Sequence, residues 1–458
     1  MKIKQDLPRF CVLALLTGLL GCPGTSAVVN PGRNSSLAKG IPGYGATKLD
    51  FPDGRNRKFR VEISEPVIVA VASGPQGWGF FQFPSITRWT DRTLSASWSM
   101  AADSVVSYSK GGSGNAISKD GGKTWEPLTG PRGIAGLLLP NGDRIAVTTP
   151  RPAKVSELRL PRPIGETTDT YSKMKYVLYR LAELPPDQQA VYLRRLPKGE
   201  SLWVSERARL DDPQALRYSV RGLFPIVWWG DLQLAADGSL VAGIYPGIRM
   251  REGGSPDQRW GVFFYRSTDD GHSWQMQGRI PYQPDLRADA KGAARMGFSE
   301  PAFQILPDGS FLCVMRTTDG FGNGPMYAAR SKDSGRTWSK PARIAPSGVL
   351  PRLLCLENGM TVLCSGRPGV QLRFSDDVAV ARWSKSLELL PYEIGGNETT
   401  EQMWRGDVVS CGYTGLLATG PDRFLVIYSD FQHRNEAGEI RKAIKIQEVT
   451  VVRPSSSP

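Results

Sequence analysis

Histidine is almost missing from this chain: His272 and His433 are the only two in 458 residues. A serine–histidine–aspartate triad and a histidine-rich metal site are therefore set aside. Cysteine is sparse too. Cys11 and Cys22 fall in the apolar N-terminus, which leaves Cys313, Cys355, Cys364 and Cys411. No C-x-x-C pair occurs, and all four lie in or beside apolar, strand-like runs. Buried free thiols are thus as reasonable as bridges, and no pairing is singled out. Asp269-Asp270-Gly271 lacks the spacing and final glutamate of an EF-hand, so no metal or other cofactor is expected. Long helical periodicity is scarce, whereas 50 Gly and 35 Pro suit an all-β chain with many turns. The formal charge of +13 is dispersed, and no recognition motif accompanies it, so nucleic acid is not an expected partner. A basic surface instead suits anionic lipid, wall polymer or an acidic sugar.

The one long apolar run, residues 10–20, is too short to span a bilayer and follows Lys2, Lys4 and Arg9. That order reads as an export signal. It ends Leu19-Leu20-Gly21-Cys22, similar to a bacterial lipobox with Cys22 lipidated, so residues 1–22 form the leader. Cleavage after Ala27 is the alternative and would leave a secreted protein. Residues 23–55, rich in Pro, Gly, Ser and Asn, read as a flexible tether.

What is abundant is repetition. Ser118-Lys119-Asp120-Gly121-Gly122-Lys123-Thr124-Trp125 returns as Ser267-Thr268-Asp269-Asp270-Gly271-His272-Ser273-Trp274 and as Ser331-Lys332-Asp333-Ser334-Gly335-Arg336-Thr337-Trp338. In S-x-D-x-G-x-[ST]-W the Asp caps backbone N–H groups of a tight turn and the Gly supplies positive φ. The hydroxyl helps close the turn, and the Trp pins it to the sheet. Weaker copies stand at Lys198–Trp203 and at Ser375-Asp376-Asp377 with Trp383. A second repeat, strand–turn–strand, occurs at residues 89–94, 139–145, 235–240, 306–311, 356–361 and 419–425, mostly around Asp-Gly or Asn-Gly. Six such hairpins predict six sheets.

The S-x-D-x-G-x-[ST]-W unit is the Asp-box, and the chain resembles the sialidase (neuraminidase) superfamily of Asp-box, or BNR-repeat, proteins. The resemblance covers about residues 60–450. It implies a six-bladed β-propeller of four-stranded antiparallel blades over residues 56–453, with a long blade-two excursion at 150–230. Strands are expected at 176–179 and 191–193, with a helical stretch at 171–196 as the alternative. The last blade takes its missing strand from 59–63 and 67–71 or from 444–452. The ends then meet and leave no open sheet edge.

The same resemblance assigns site residues. In Phe298-Ser299-Glu300-Pro301, a Glu opens a strand and Arg316 follows the return strand, just before that blade's Asp-box. This implies that Glu300 activates the nucleophile and that Arg316 grips a sugar carboxylate. Arg367, in Cys364-Ser365-Gly366-Arg367, would be a second arm; its rigid fork suits a carboxylate. Tyr413, in Ser410-Cys411-Gly412-Tyr413, is implied as the nucleophile, an exception among glycosidases that otherwise use two carboxylates. Its hydroxyl is expected within hydrogen-bond reach of Glu300, with the whole group at one mouth of the channel. Asp103 would be the acid/base. One position departs: in Phe80-Phe81-Gln82-Phe83-Pro84, Gln82 stands where the family has its first Arg. Arg88, Arg132 or Arg249 could compensate, or the ligand differs.

The expected protein is an exported, membrane-anchored or secreted monomer, without nucleic-acid partners and touching membrane only through a lipid anchor. The expected activity is that of an exo-α-sialidase-like glycoside hydrolase, removing a terminal acidic sugar from a glycan with retention. The alternative is a propeller that binds acidic glycan without hydrolysing it, since fold alone does not settle activity.

Overall fold

Each of the six strand–turn–strand segments is a hairpin in the computed structural model. The structure describes residues 47–50 and 58–452, except 109–110, 130–133, 169–173, 319–323, 368, 378, 381 and 391–410. Cys22, the leader, most of the tether and Arg132 lie outside the described residues.

Four of the turns place glycine in the left-handed region at one equivalent position: Gly142, Gly238, Gly309 and Gly359, with φ of 94°, 82°, 78° and 80°. Their bonding repeats as well: Leu306 N donates to Ser310 O at 2.8 Å and Gly309 N to Leu306 O at 2.9 Å. The preceding Asp308 accepts from Ser310 N at 3.0 Å and from its hydroxyl at 2.6 Å. In the first hairpin the glycine position is taken by Arg92 with φ of 66°. A side chain there costs about 1–2 kcal/mol. Arg92→Gly should therefore raise stability by about 0.5–1 kcal/mol in a denaturant titration, after the flexibility glycine adds to the unfolded chain. A loss of stability would mean that the exposed Arg92 side chain contributes more than its backbone costs.

Three sheets have four antiparallel strands. One comprises Phe80–Arg88, Leu94–Met100, Gly112–Ser118 and Glu126–Pro127. The second comprises Gly297–Ile305, Phe311–Thr318, Met326–Ser331 and Ala342–Ala345. The third comprises Val349–Cys355, Thr361–Gly366, Val370–Ser375 and Leu387–Leu390. An eight-stranded sheet runs from Trp229–Leu234 through Leu240–Gly247 and Gly261–Ser267 to Ser273–Ile280. It continues by parallel pairing into Val204–Asp211, then Val191–Leu196, Arg144–Val147 and Leu137–Leu138. The last sheet answers the question of the ends. Cys411–Ala418, Arg423–Arg434 and Ile440–Val452 take Lys58–Ile63 as their next strand, with Arg60 opposite Val452. Val67–Val71 also pairs with Ile440–Val452. Cys411–Ala418 in turn packs on Phe80–Arg88, so the first and last sheets are neighbours.

The excursion after residue 150 divides. Val191–Leu196 pairs with Arg144–Val147 and stays in the eight-stranded sheet. Ala153–Lys154, Gly165–Thr168, Lys175–Arg180, Leu216–Val220 and Leu223–Phe224 form a separate five-stranded sheet. Helix there is limited, among the described residues, to one short α segment, Pro186–Gln189, and 3-10 turns. The extra sheet shares a core with the body: Tyr176, Leu178 and Tyr218 pack with Val105, Tyr108, Trp229 and Tyr245.

All three Asp-boxes close in the same way. In the third, Asp333 accepts from Thr337 N at 2.9 Å and from the Thr337 hydroxyl at 2.6 Å. Trp338 Nε1 donates to Gly335 O at 3.0 Å, and its ring stacks on Phe264 of the preceding sheet at 4.2 Å. The first serine has a part that the motif alone does not reveal: Ser331 Oγ accepts the Gly335 N–H at 2.8 Å. The Thr337 bonds, ahead of the small opposing effect of burial, hold the Asp333 carboxyl down at about 2, below its ordinary 3.8. A depressed folded-state value means stability that is present above the unfolded value and lost as pH falls through about 2. The melting-temperature gap between wild type and Asp333→Ala should thus be constant above about pH 5 and shrink from about pH 4 towards pH 2. A pH-independent gap would assign the turn's stability to something other than the carboxylate.

Cys313 and Cys364 are buried free thiols, and Cys355 is a half-buried one.

Candidate active site

The site is built on irregularities at the starts of the first strands. In Gly297–Ile305 the register shifts between Ser299 and Ala302, in Val349–Cys355 between Val349 and Arg352, and in Cys411–Ala418 between Cys411 and Thr414. In Phe80–Arg88 it shifts on both sides of Gln82. Bulges of this kind re-aim side chains and often border active sites. At three of them a residue before proline is left-handed: Phe83 at φ 54°, Glu300 at 48° and Leu350 at 41°. Phe81 and Arg367 are left-handed too, at 53° and 43°. Strain of about 1–3 kcal/mol at each such position persists only where the surroundings hold it.

These bulges bring together most of the residues picked out from the sequence. Glu300 is 1% exposed; its Oε1 accepts from Arg316 Nη1 at 2.9 Å and its Oε2 from Leu350 N at 2.6 Å. Arg316 is itself buried. Tyr413 is fully buried, and its ring stacks on Phe83 at a centroid distance of 4.2 Å. The Arg367 guanidinium lies 5.3 Å from the Tyr413 ring and 5.0 Å from the Trp78 ring. Trp78 Nε1 donates to Asp103 Oδ2 at 3.0 Å, which ties the acid/base candidate into the same group. Tyr245 is buried as well. Burial first, then the charges of Glu300 and Tyr413, push its phenol well up, with Arg316 opposing and Asp103 reinforcing.

The Glu300 oxygens take up Arg316 and the Leu350 amide. Arg316 thus pairs with the carboxylate of its own blade. Gln82 is fully buried, and both its Nε2 and its Oε1 are without a hydrogen-bond partner. Neither described candidate for compensation turns to it. Arg88, six residues on and so about 20 Å along the strand, donates to Ala418 O at 2.7 Å. Arg249 is engaged with Asp212 at 3.2 Å and with Gln214 at 2.8 Å.

Sequence reasoning passed over Trp78, Phe83, Tyr245, Leu350 and Lys442. The Lys442 ammonium donates to Gly77 O at 2.7 Å and lies 6.0 Å from the Trp78 ring; burial lowers its pKa to about 8. A signal for two of these was in the chain: Phe83-Pro84, Glu300-Pro301 and Leu350-Pro351 are the same X-Pro step in three strands. In the extra sheet, Tyr176 and Tyr218 share the core that holds Tyr108 and Tyr245.

Known proteins resemble the chain in repeats and in fold. The family described as BNR repeat-like domain matches residues 190–388, and the BNR/Asp-box repeat matches residues 116–127. No curated protein matches the chain in sequence. Among solved structures, a protein of unknown function from Dyadobacter fermentans is 17% identical, with a TM-score of 0.51 over 85% of this chain and 99% of that one. A Penicillium chrysogenum α-L-arabinanase is 16% identical, with a TM-score of 0.43, 80% of this chain and 92% of that one covered. Trypanosoma rangeli sialidase is 14% identical, with a TM-score of 0.41, 93% of this chain and 60% of that one covered. The chain thus carries BNR/Asp-box repeats on an all-β fold of antiparallel sheets.

Proposed function

We propose that the protein is a retaining exo-glycosidase of the BNR-propeller type that removes a terminal acidic sugar from a glycan. The observation that carries this reading is one connected buried group: Arg316 and the Leu350 amide hold Glu300, Leu350 packs with Tyr413, Arg367 lies against the Tyr413 ring, and Trp78 joins Arg367 to Asp103. In the first step Glu300 takes the Tyr413 proton as the phenolic oxygen bonds to the anomeric carbon. The glycosidic C–O bond breaks, and Asp103 protonates the departing oxygen. In the second step Asp103 takes a proton from water, which attacks the same carbon. The Tyr–sugar bond then breaks, and Glu300 returns the proton to Tyr413. A phenol paired with a carboxylate avoids driving an anion against an anionic substrate. Arg316 and Arg367 would hold the sugar's carboxylate.

The rest of the proposal concerns setting. The leader would direct export, with Cys22 as a lipid anchor and 23–55 as the tether. Residues 56–453 would close as six blades, the eight-stranded sheet counting as two, in a monomer that acts at the envelope or is secreted.

Turnover of a panel of fluorogenic acidic glycosides, with NMR of the first-formed anomer, tests this; inversion or complete inactivity counts against it. Asp103→Asn should cut hydrolysis of substrates with poor leaving groups by about 10²–10⁴-fold and affect activated aryl glycosides much less. Equal losses on both would remove Asp103 from the acid role.

A second reading, glycan binding without hydrolysis, is favoured by Gln82 in place of an Arg and by the near-complete burial of Glu300 and Tyr413. Retained binding of a glycan that is never cleaved would support it.

A further inference from the structure

Gln82 differs from the arginines assigned to the substrate carboxylate in having an acceptor as well as donors. Both ends of its amide are fully buried and unpartnered, between the left-handed residues Phe81 and Phe83. Phe83 stacks on Tyr413, so Gln82 is next in the chain to a residue touching the candidate nucleophile. Buried amides without partners are uncommon in folded proteins and call for an occupant. Exchanging the amide's oxygen and nitrogen leaves that requirement unchanged, because one donor end and one acceptor end remain.

A carboxylate alone is a poor occupant. It offers only acceptors, so it can satisfy Nε2 while setting Oε1 against a second acceptor. A hydroxyl beside the carboxylate completes the pair: the carboxylate accepts from Nε2 while the hydroxyl donates to Oε1. Resting on the glycosidase reading above, we propose that Gln82 reads a hydroxyl next to the carboxylate of the substrate. The favoured substrate is then a sugar acid with a free hydroxyl on the carbon adjoining the one that bears the carboxylate, as in hexuronic acids. Sialic-acid-type sugars have a methylene at that place and leave Oε1 unpaired. A site built to hydrogen-bond a substrate hydroxyl discriminates strongly against an analogue without it, because its own polar group is then stranded.

The test compares kcat/KM for methylumbelliferyl glycosides of glucuronic, galacturonic and N-acetylneuraminic acids. Wild type should prefer a uronide by about 100-fold or more. Gln82→Met, which removes the polar pair at similar volume, should shrink that preference to less than about fivefold without lowering the melting temperature. Gln82→Arg should shift the preference towards the sialoside. A wild-type preference for the sialoside, or an unchanged ratio in Gln82→Met, overturns the inference while turnover itself upholds the glycosidase reading. If no glycoside is cleaved, titration of the free sugar acids decides: a uronate preference that Gln82→Met abolishes sustains the inference and overturns only the catalytic reading. Equal or absent binding overturns both.

Discussion

Tyr413→Phe should lower kcat/KM on any acidic glycoside the protein cleaves by about 10³-fold or more, with stability changed by less than about 1 kcal/mol. The reasoning separates the ring from its hydroxyl. The ring stacks on Phe83 at 4.2 Å, faces Arg367 at 5.3 Å, and shares a small apolar cluster with Val349 and Leu350. Phenylalanine keeps all of these contacts and removes only the oxygen that would bond to the sugar. A large loss of activity with an intact fold would therefore be chemical in origin. If the Tyr413→Phe variant retained even a tenth of wild-type turnover, some other group, Glu300 or Asp103, would be the one that attacks the sugar.

Arg316→Met should destabilise the protein by about 3–5 kcal/mol, the usual cost of stranding one member of a buried ion pair. The Glu300 side chain is 0% exposed, and without Arg316 it keeps only the Leu350 amide. Glu300→Leu combined with Arg316→Met should recover most of the deficit, since removing both charges costs far less than removing one. Chemical denaturation of the single and double variants measures this coupling. A single-variant loss below about 1 kcal/mol would show that the pair is solvated in solution, as a surface pair would be.

The two predictions differ in how visible their origins were in the chain. The hairpins could be read directly because positive φ at Gly142, Gly238, Gly309 and Gly359 leaves a residue-type signature. Arg92 occupies the same position without that signature, yet the strands on either side preserved the pattern. The Asp-boxes were equally legible, since Ser, Asp, Thr and Trp each make a local bond within the turn. Local chemistry of this kind is written in consecutive residues.

What was not legible depends on contacts between distant segments. Glu300 and Arg316 could be picked out as a pair by position, but their ion pair with each other also depends on Leu350 donating from the next sheet. Trp78 joins Asp103 to Arg367 across three separate segments, and no single stretch of sequence records that. The five-stranded sheet was hidden for a similar reason. Lys175–Arg180 and Val191–Leu196 look alike as apolar strands, and only their partners, Leu216–Val220 and Arg144–Val147, assign them to different sheets. Gln82 was noticed as a substitution, but its two unpartnered amide atoms emerge only from the packing around it.

The most direct measurement is to trap the sugar on the enzyme. A fluorinated acidic glycoside with a good leaving group slows the second step of a retaining reaction and lets the glycosyl-enzyme accumulate. Digestion and mass spectrometry should then find one added sugar on the peptide bearing Tyr413, absent from Tyr413→Phe. An adduct on Glu300 or Asp103, or none with any acidic glycoside that wild type cleaves, would contradict the assignment.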